Sequence, residues 1–187
     1  MVSASTMKSR KSVSTRSLRQ MQPGGNSVAP APVSTHTYSN SQSNIMYTGI
    51  QHLHSFLSYL VIGGLAVSII LAMAGQFTGK PFTDRDRKLA LIGLIPAHLQ
   101  WIVGLVLYFI SPLGISNLTV EAMGNSLMRL YTLEHPVMMI LAVVLITIGF
   151  ALAKRGSDPK KQFRSIWVFY LAGLVFILSR IPWAAWP

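Results

Sequence analysis

Polar and apolar positions along the chain fall into blocks rather than into an alternation. The stretch "QHLHSFLSYLVIGGLAVSIILAMAG", from Gln51, has no charged residue. Leu89 to Val120 lacks Lys, Arg, Asp and Glu, as do His135 to Ala153 and Ser165 to Ser179. A membrane-spanning helix needs about 20 mostly apolar residues. The blocks therefore predict four spans, near 49–76, 89–112, 130–153 and 166–185. Four such runs exceed what the soluble core of a 187-residue chain can absorb. The expected fold is all-α, a polytopic membrane protein with four transmembrane helices in an up-and-down bundle. Before it lies a tail, residues 1–45, rich in Ser, Thr, Pro and Asn and without apolar periodicity. Such a segment cannot bury enough apolar surface to offset the entropy of ordering, and disorder is expected.

Composition sharpens this. Only 11% of residues are charged, against about 25% in a soluble domain. The mean hydropathy is +0.46. Cysteine is absent, which excludes disulfides, thiolate metal sites and iron–sulfur clusters. A net charge of +11 does not imply nucleic acid, because no folded soluble surface remains to display it; the expected partner is the lipid bilayer.

The charge is also uneven. Lys80, Arg85, Arg87 and Lys88 separate the first two spans, and Lys154, Arg155, Lys160, Lys161 and Arg164 separate the last two. The middle loop, "SPLGISNLTVEAMGNSLM", has no Lys or Arg. By the positive-inside rule both basic loops are cytoplasmic, giving an N-out, C-out topology. The closing "IPWAAWP" suits an interface, where tryptophan is favoured. The tail opposes this orientation: Lys8, Arg10, Lys11, Arg16 and Arg19 stand there with no acidic residue. Two readings remove the conflict. Either the tail is an organelle transit peptide removed on import, or translation starts at Met46. The second is preferred, since "MYTGIQHLHSF" leads directly into the first span. "TDRDRK" at 83–88 reads as a helix start, with Thr83 or Asp84 as N-cap.

Ionisable groups within spans are costly and usually face the bundle interior or a cavity. At a rise of 1.5 Å per residue, His52 lies about 6 Å and His54 about 9 Å inside one boundary. His135 enters the third span from the same side at roughly 8 Å, and Arg180 ends the fourth near that level. His98 lies some 6–10 Å deeper. His52 and His54 are about 200° apart around a helix, so only one can face a given partner. His52 aligns with Tyr59, Gly63 and Ala66; His54 aligns with Ser58, Val61 and Leu65. On the second span Gly93, Ala97, Gln100, Gly104 and Tyr108 share one stripe. Glu134 is expected to pair with Arg129 or Arg180, or to stay wet at the interface.

Two imidazoles at one depth on separate helices suit a b-type haem, whose iron takes axial nitrogens from both faces of a flat macrocycle. That predicts His54 with His135 as iron ligands, His52 being the alternative to His54, and Arg180 meeting a propionate. Small residues on the same faces serve either close packing or a flat cofactor. For any one histidine taken alone, an interior residue that simply satisfies its hydrogen bonds is the preferred reading; for the level pair with Arg180, that reading and haem stand even. Copper is a further one, since imidazole also suits copper, with Met138 and Met139 as thioether ligands.

In "MYTGIQHLHSFLSYLVI", "KPFTDRDRKLALIGLIPAHLQWIVGLVLYFISP", "LYTLEHPVMMILAVVLITIG" and "RIPW", residues 46–187 resemble a family of small four-helix bacterial membrane proteins, frequent in Bacteroidetes and labelled cytochrome b. The resemblance implies an inner-membrane protein with histidine-ligated haem, and points to His52, His54, His98 and His135. The fourth span has no histidine, unlike better-known four-helix b cytochromes. No substrate domain or second cofactor motif is visible, so the expected role is an electron-transfer subunit beside a redox protein partner, or a homo-oligomer, rather than a complete enzyme. The alternative is a non-redox accessory or assembly subunit whose histidines bind no haem.

Overall fold

The computed structural model of the chain describes residues 35–183, with side chains from residue 45 onward. The disorder expected before residue 35 and the aromatic end beyond Trp183 lie outside the described residues. Four long helices are α1 (Thr35–Phe77), α2 (Asp84–Ile110), α5 (His135–Arg155) and α6 (Pro159–Ser179). Two short helices, α3 (Val120–Gly124) and α4 (Ser126–Arg129), lie in the middle loop, and a π-helical segment, Leu130–Glu134, joins α4 to α5. Each long helix carries a stretch apolar and long enough to cross a membrane. They pack as an antiparallel bundle in the cyclic order α1, α2, α5, α6. The chain is an all-α integral membrane protein by length and apolarity of its helices.

The ends of the helices differ from the apolar blocks, for local reasons. α1 starts at Thr35, not near 49, so residues 35–45 carry helical backbone where the composition suggests a disordered tail. Extending an existing helix is far easier than nucleating one. α2 starts at Asp84, with Thr83 as N-cap. The Asp86 carboxylate accepts from the Thr83 N–H (3.0 Å) and hydroxyl (2.7 Å) and pairs with Lys80 at 2.6 Å. α2 stops at Ile110 because Pro112 disfavours helical geometry at Ser111. α6 starts at Pro159, behind the Asp158 N-cap that accepts from the Lys160 N–H, and stops at Ser179 rather than 185, ahead of Pro182.

The core runs along the bundle axis through Val61, Leu65, Ile69, Ala97, Ala142, Ile146, Phe163, Ile166 and Tyr170. Tyr170 is fully buried, and its hydroxyl donates to the Ala90 carbonyl at 3.0 Å, joining α6 to α2 across the diagonal. Ser68 donates from α1 to the Leu89 carbonyl of α2 at 3.2 Å. Large apolar residues remain exposed all around the bundle, among them Phe56, Ile70, Ile102, Val144 and Val175, as lipid contact requires.

Pro96 inside α2 and Pro136 in the first turn of α5 each leave a carbonyl without its usual donor, because a proline nitrogen cannot donate to the residue four before it. Pro96 frees Ile92, whose carbonyl oxygen turns onto Gly64 of α1. A Cβ at Gly64 would collide with that oxygen, so the two backbones meet there only because position 64 has no side chain. Pro136 frees Thr132, and the Tyr108 hydroxyl of α2 donates to that carbonyl at 3.1 Å. Thr132 itself is fully buried and donates to the Leu113 carbonyl at 3.3 Å.

Candidate functional site

The two stripes of α1 separate cleanly. Val61 and Leu65 are buried, so the stripe they share with His54 faces the bundle. Tyr59 is exposed, so the stripe of His52 faces out, and His52 itself is exposed. His54 is half-buried against α2. A Cβ at Gly104 would stand 2.9 Å from its Cε1 and 3.5 Å from its Nδ1, so the ring fits only because Gly104 is bare. One turn earlier on α2, the Gln100 amide donates from Nε2 to the backbone carbonyl of His54 at 2.9 Å.

His135 opens α5 after the π segment, its backbone N–H bonded to the Leu130 carbonyl in the wider π spacing. Its Nδ1 donates to the Arg180 carbonyl at the end of α6, 2.8 Å away. That bond places a hydrogen on Nδ1, so that in the neutral ring Nε2 carries the free electron pair. The His54 and His135 rings meet edge to face, centroids 6.3 Å apart and planes at 75°. They come from α1 and α5, which are diagonal in the bundle.

Beside them lies an ion cluster. Glu134 accepts from Arg129 Nε at 2.8 Å and pairs with Arg180 Nε at 3.2 Å. Glu134 thus takes both arginines that the sequence offers it, and two guanidinium groups face one carboxylate. Arg180 also donates to the Ser179 carbonyl at 2.8 Å.

His98 stands apart. Its Nδ1 lies 2.9 Å from the Leu94 carbonyl and its Nε2 3.2 Å from the Thr147 hydroxyl of α5. Both nitrogens are therefore used, Nδ1 within α2 and Nε2 in tying α2 to α5. Met138 and Met139 are half-buried, and Met139 packs on the core. Among the described residues, no three His, Cys, Asp or Glu side chains converge as a metal-ion site.

Among the described residues, two buried side-chain polar atoms lack a hydrogen-bond partner, His54 Nδ1 and Gln100 Oε1. In the sequence Gln100 stands on the small-residue stripe of the second span, with nothing there to give it a role. The lone amide side chain on that stripe was the available signal.

No family model, curated protein or solved structure matches the chain.

Proposed function

We propose that this integral membrane protein binds a b-type haem between His54 and His135 and passes electrons as a subunit beside a larger redox partner. The observation that carries the reading is the imidazole pair itself: two rings 6.3 Å apart, on diagonal helices, at one end of a bundle of membrane-crossing length. Rings at that spacing can share one metal, because each metal–imidazole bond is about 2 Å. A zinc ion would call on three or four protein ligands. A donor set of two imidazoles would instead suit a metal that arrives with further nitrogen ligands of its own, as haem iron does. The resemblance of residues 46–187 to the cytochrome b-labelled family points the same way.

In this reading His54 and His135 would hold the haem iron, and the haem would supply one-electron chemistry there. The Arg180 carbonyl keeps the His135 ring in the tautomer whose Nε2 can coordinate. Such outer contacts orient a ligand and raise its basicity. The Arg129–Glu134–Arg180 cluster, with its excess positive charge, suits a propionate carboxylate. His52 stays at the interface, and His98 serves as a tie between α2 and α5.

Membranes carrying the overexpressed chain are expected to show a reduced-minus-oxidised b-type difference spectrum, with iron in stoichiometric amount in the purified protein. A colourless, iron-free protein would remove the haem reading, and copper in its place would select the copper alternative.

The same reading takes the membrane to be a bacterial inner membrane, with the histidine end outward. The arginine- and lysine-free middle loop and the basic α1–α2 and α5–α6 connections support that orientation. An alkaline phosphatase fused to the C-terminus is expected to be active and a fluorescent protein fused there dark. The reverse result would invert the topology.

A further inference from the structure

His135 has an acceptor for its Nδ1 hydrogen, and His54 has none. The atom that His54 lacks is present on the neighbouring helix. The Gln100 side chain is already anchored beside His54 by its Nε2, which donates to the His54 carbonyl. That bond fixes the amide orientation, because exchanging its nitrogen and oxygen would set two acceptors against each other. The remaining amide atom, Oε1, is an acceptor buried without a partner. His54 Nδ1 is buried without a partner as well. Its Nδ1–Cε1 edge faces α2, since it is the edge that Gly104 accommodates. Gln100 and Gly104 are four residues apart and lie on one face of α2. A buried donor and a buried acceptor left unmade are each destabilising, and pairing them removes both costs.

We infer that Gln100 is the positioning residue of His54, its Oε1 accepting the Nδ1 hydrogen when the ring coordinates through Nε2. Gln100 then does for His54 what the Arg180 carbonyl does for His135. Both imidazoles are held as the same tautomer, each by an oxygen from a neighbouring helix: α2 for the first, the end of α6 for the second. Gln100 touches no cofactor in this assignment. It acts through the imidazole, by setting the ring's orientation and its basicity.

This inference rests on the haem reading and is tested in the same full-length protein, purified in detergent. Gln100→Leu removes the acceptor and the anchor. Haem affinity is expected to fall about 10- to 100-fold, and the haem that remains is expected to have a higher midpoint potential, because a less basic ligand stabilises ferric iron less. Gln100→Glu offers the same two contacts in its protonated form, the O–H donating to the His54 carbonyl and the C=O accepting from Nδ1. It is expected to return the affinity to near the wild-type value. Ser68→Ala removes a different α1-to-α2 hydrogen bond, remote from the histidines, and is expected to leave both affinity and potential unchanged.

A merely structural Gln100 would lower the yield of folded protein in Gln100→Leu without moving the potential of its haem, and that result overturns the inference. A wild-type protein with a b-type spectrum and a Gln100→Leu variant of unchanged affinity and potential overturns it too. A wild-type protein without the spectrum overturns the haem reading, and the inference with it. If Gln100→Leu does not fold, Gln100→Asn, which keeps the amide but withdraws it by one carbon, provides the comparison. An unchanged potential in that variant again overturns the inference.

Discussion

His135→Ala is expected to abolish the b-type spectrum, and His54→Ala to do the same, while His52→Ala leaves it intact. The difference between His52 and His54 is the informative part. They are two residues apart on one helix, yet His52 is exposed and His54 meets His135. His98→Ala is expected to retain the haem, because both of its nitrogens are already committed to Leu94 and Thr147. Its cost is stability, about 1 kcal/mol for a net hydrogen bond. Difference spectra of the four variants, normalised to folded protein by size-exclusion chromatography, decide the matter. A spectrum that survives His135→Ala and disappears in His98→Ala would move the cofactor to the middle of the bundle and leave the His54–His135 pair as packing.

The second large effect is expected at neighbouring glycines with opposite fates. Gly64→Ala sets a methyl group into the Ile92 carbonyl, with the carbonyl carbon only 3.2 Å away. The obstacle is backbone, which no rotamer can relieve, so α1 and α2 must part. Overpacking of this kind costs about 1–3 kcal/mol, occasionally more, and the upper end is expected here. Gly63→Ala meets nothing within 4 Å and should be neutral or stabilising by up to about 1 kcal/mol, the helix-propensity gain of alanine over glycine. Unfolding in mixed micelles of rising sodium dodecyl sulfate content measures both. Equal midpoints for the two variants would show that the Gly64–Ile92 approach contributes nothing.

The architecture was legible because membrane helices announce themselves by composition. The four apolar blocks overlap the four long helices, and Thr83 caps α2 as its sequence suggests. The inward face of α1 was also written in the stripe that joins His54 to Val61 and Leu65, both buried. Helix ends were less legible, because apolarity marks the lipid-crossing part and not the hydrogen-bonded one. α6 begins in the polar run "PKKQ", and α1 reaches back to Thr35 through residues with no apolar period. The π segment before His135 has no pattern of its own, although Pro136 was a signal that the Thr132 carbonyl needed a new donor. The Arg180 carbonyl and the Gln100 amide lay beyond sequence reading for a plainer reason. Both act through contacts between residues about 45 positions apart, and periodicity reports only which face of a helix is used, never what stands opposite.

The diagonal relation of α1 and α5 has a consequence for assembly. The closest helix pairs are α1 with α2 and α5 with α6, each a hairpin joined by a short connection. The first hairpin holds His54, Gln100 and Gly104; the second holds His135 and Arg180. Neither half holds both imidazoles. The chain is thus a covalent pair of half-proteins, and the two rings come together only when the halves have docked. Any ligand that takes both imidazoles binds the docked form alone, and by mass action it stabilises that form in proportion to the logarithm of its free concentration over its dissociation constant. Such a ligand would act as a seam between the halves, and its presence would report that all four helices had found their places.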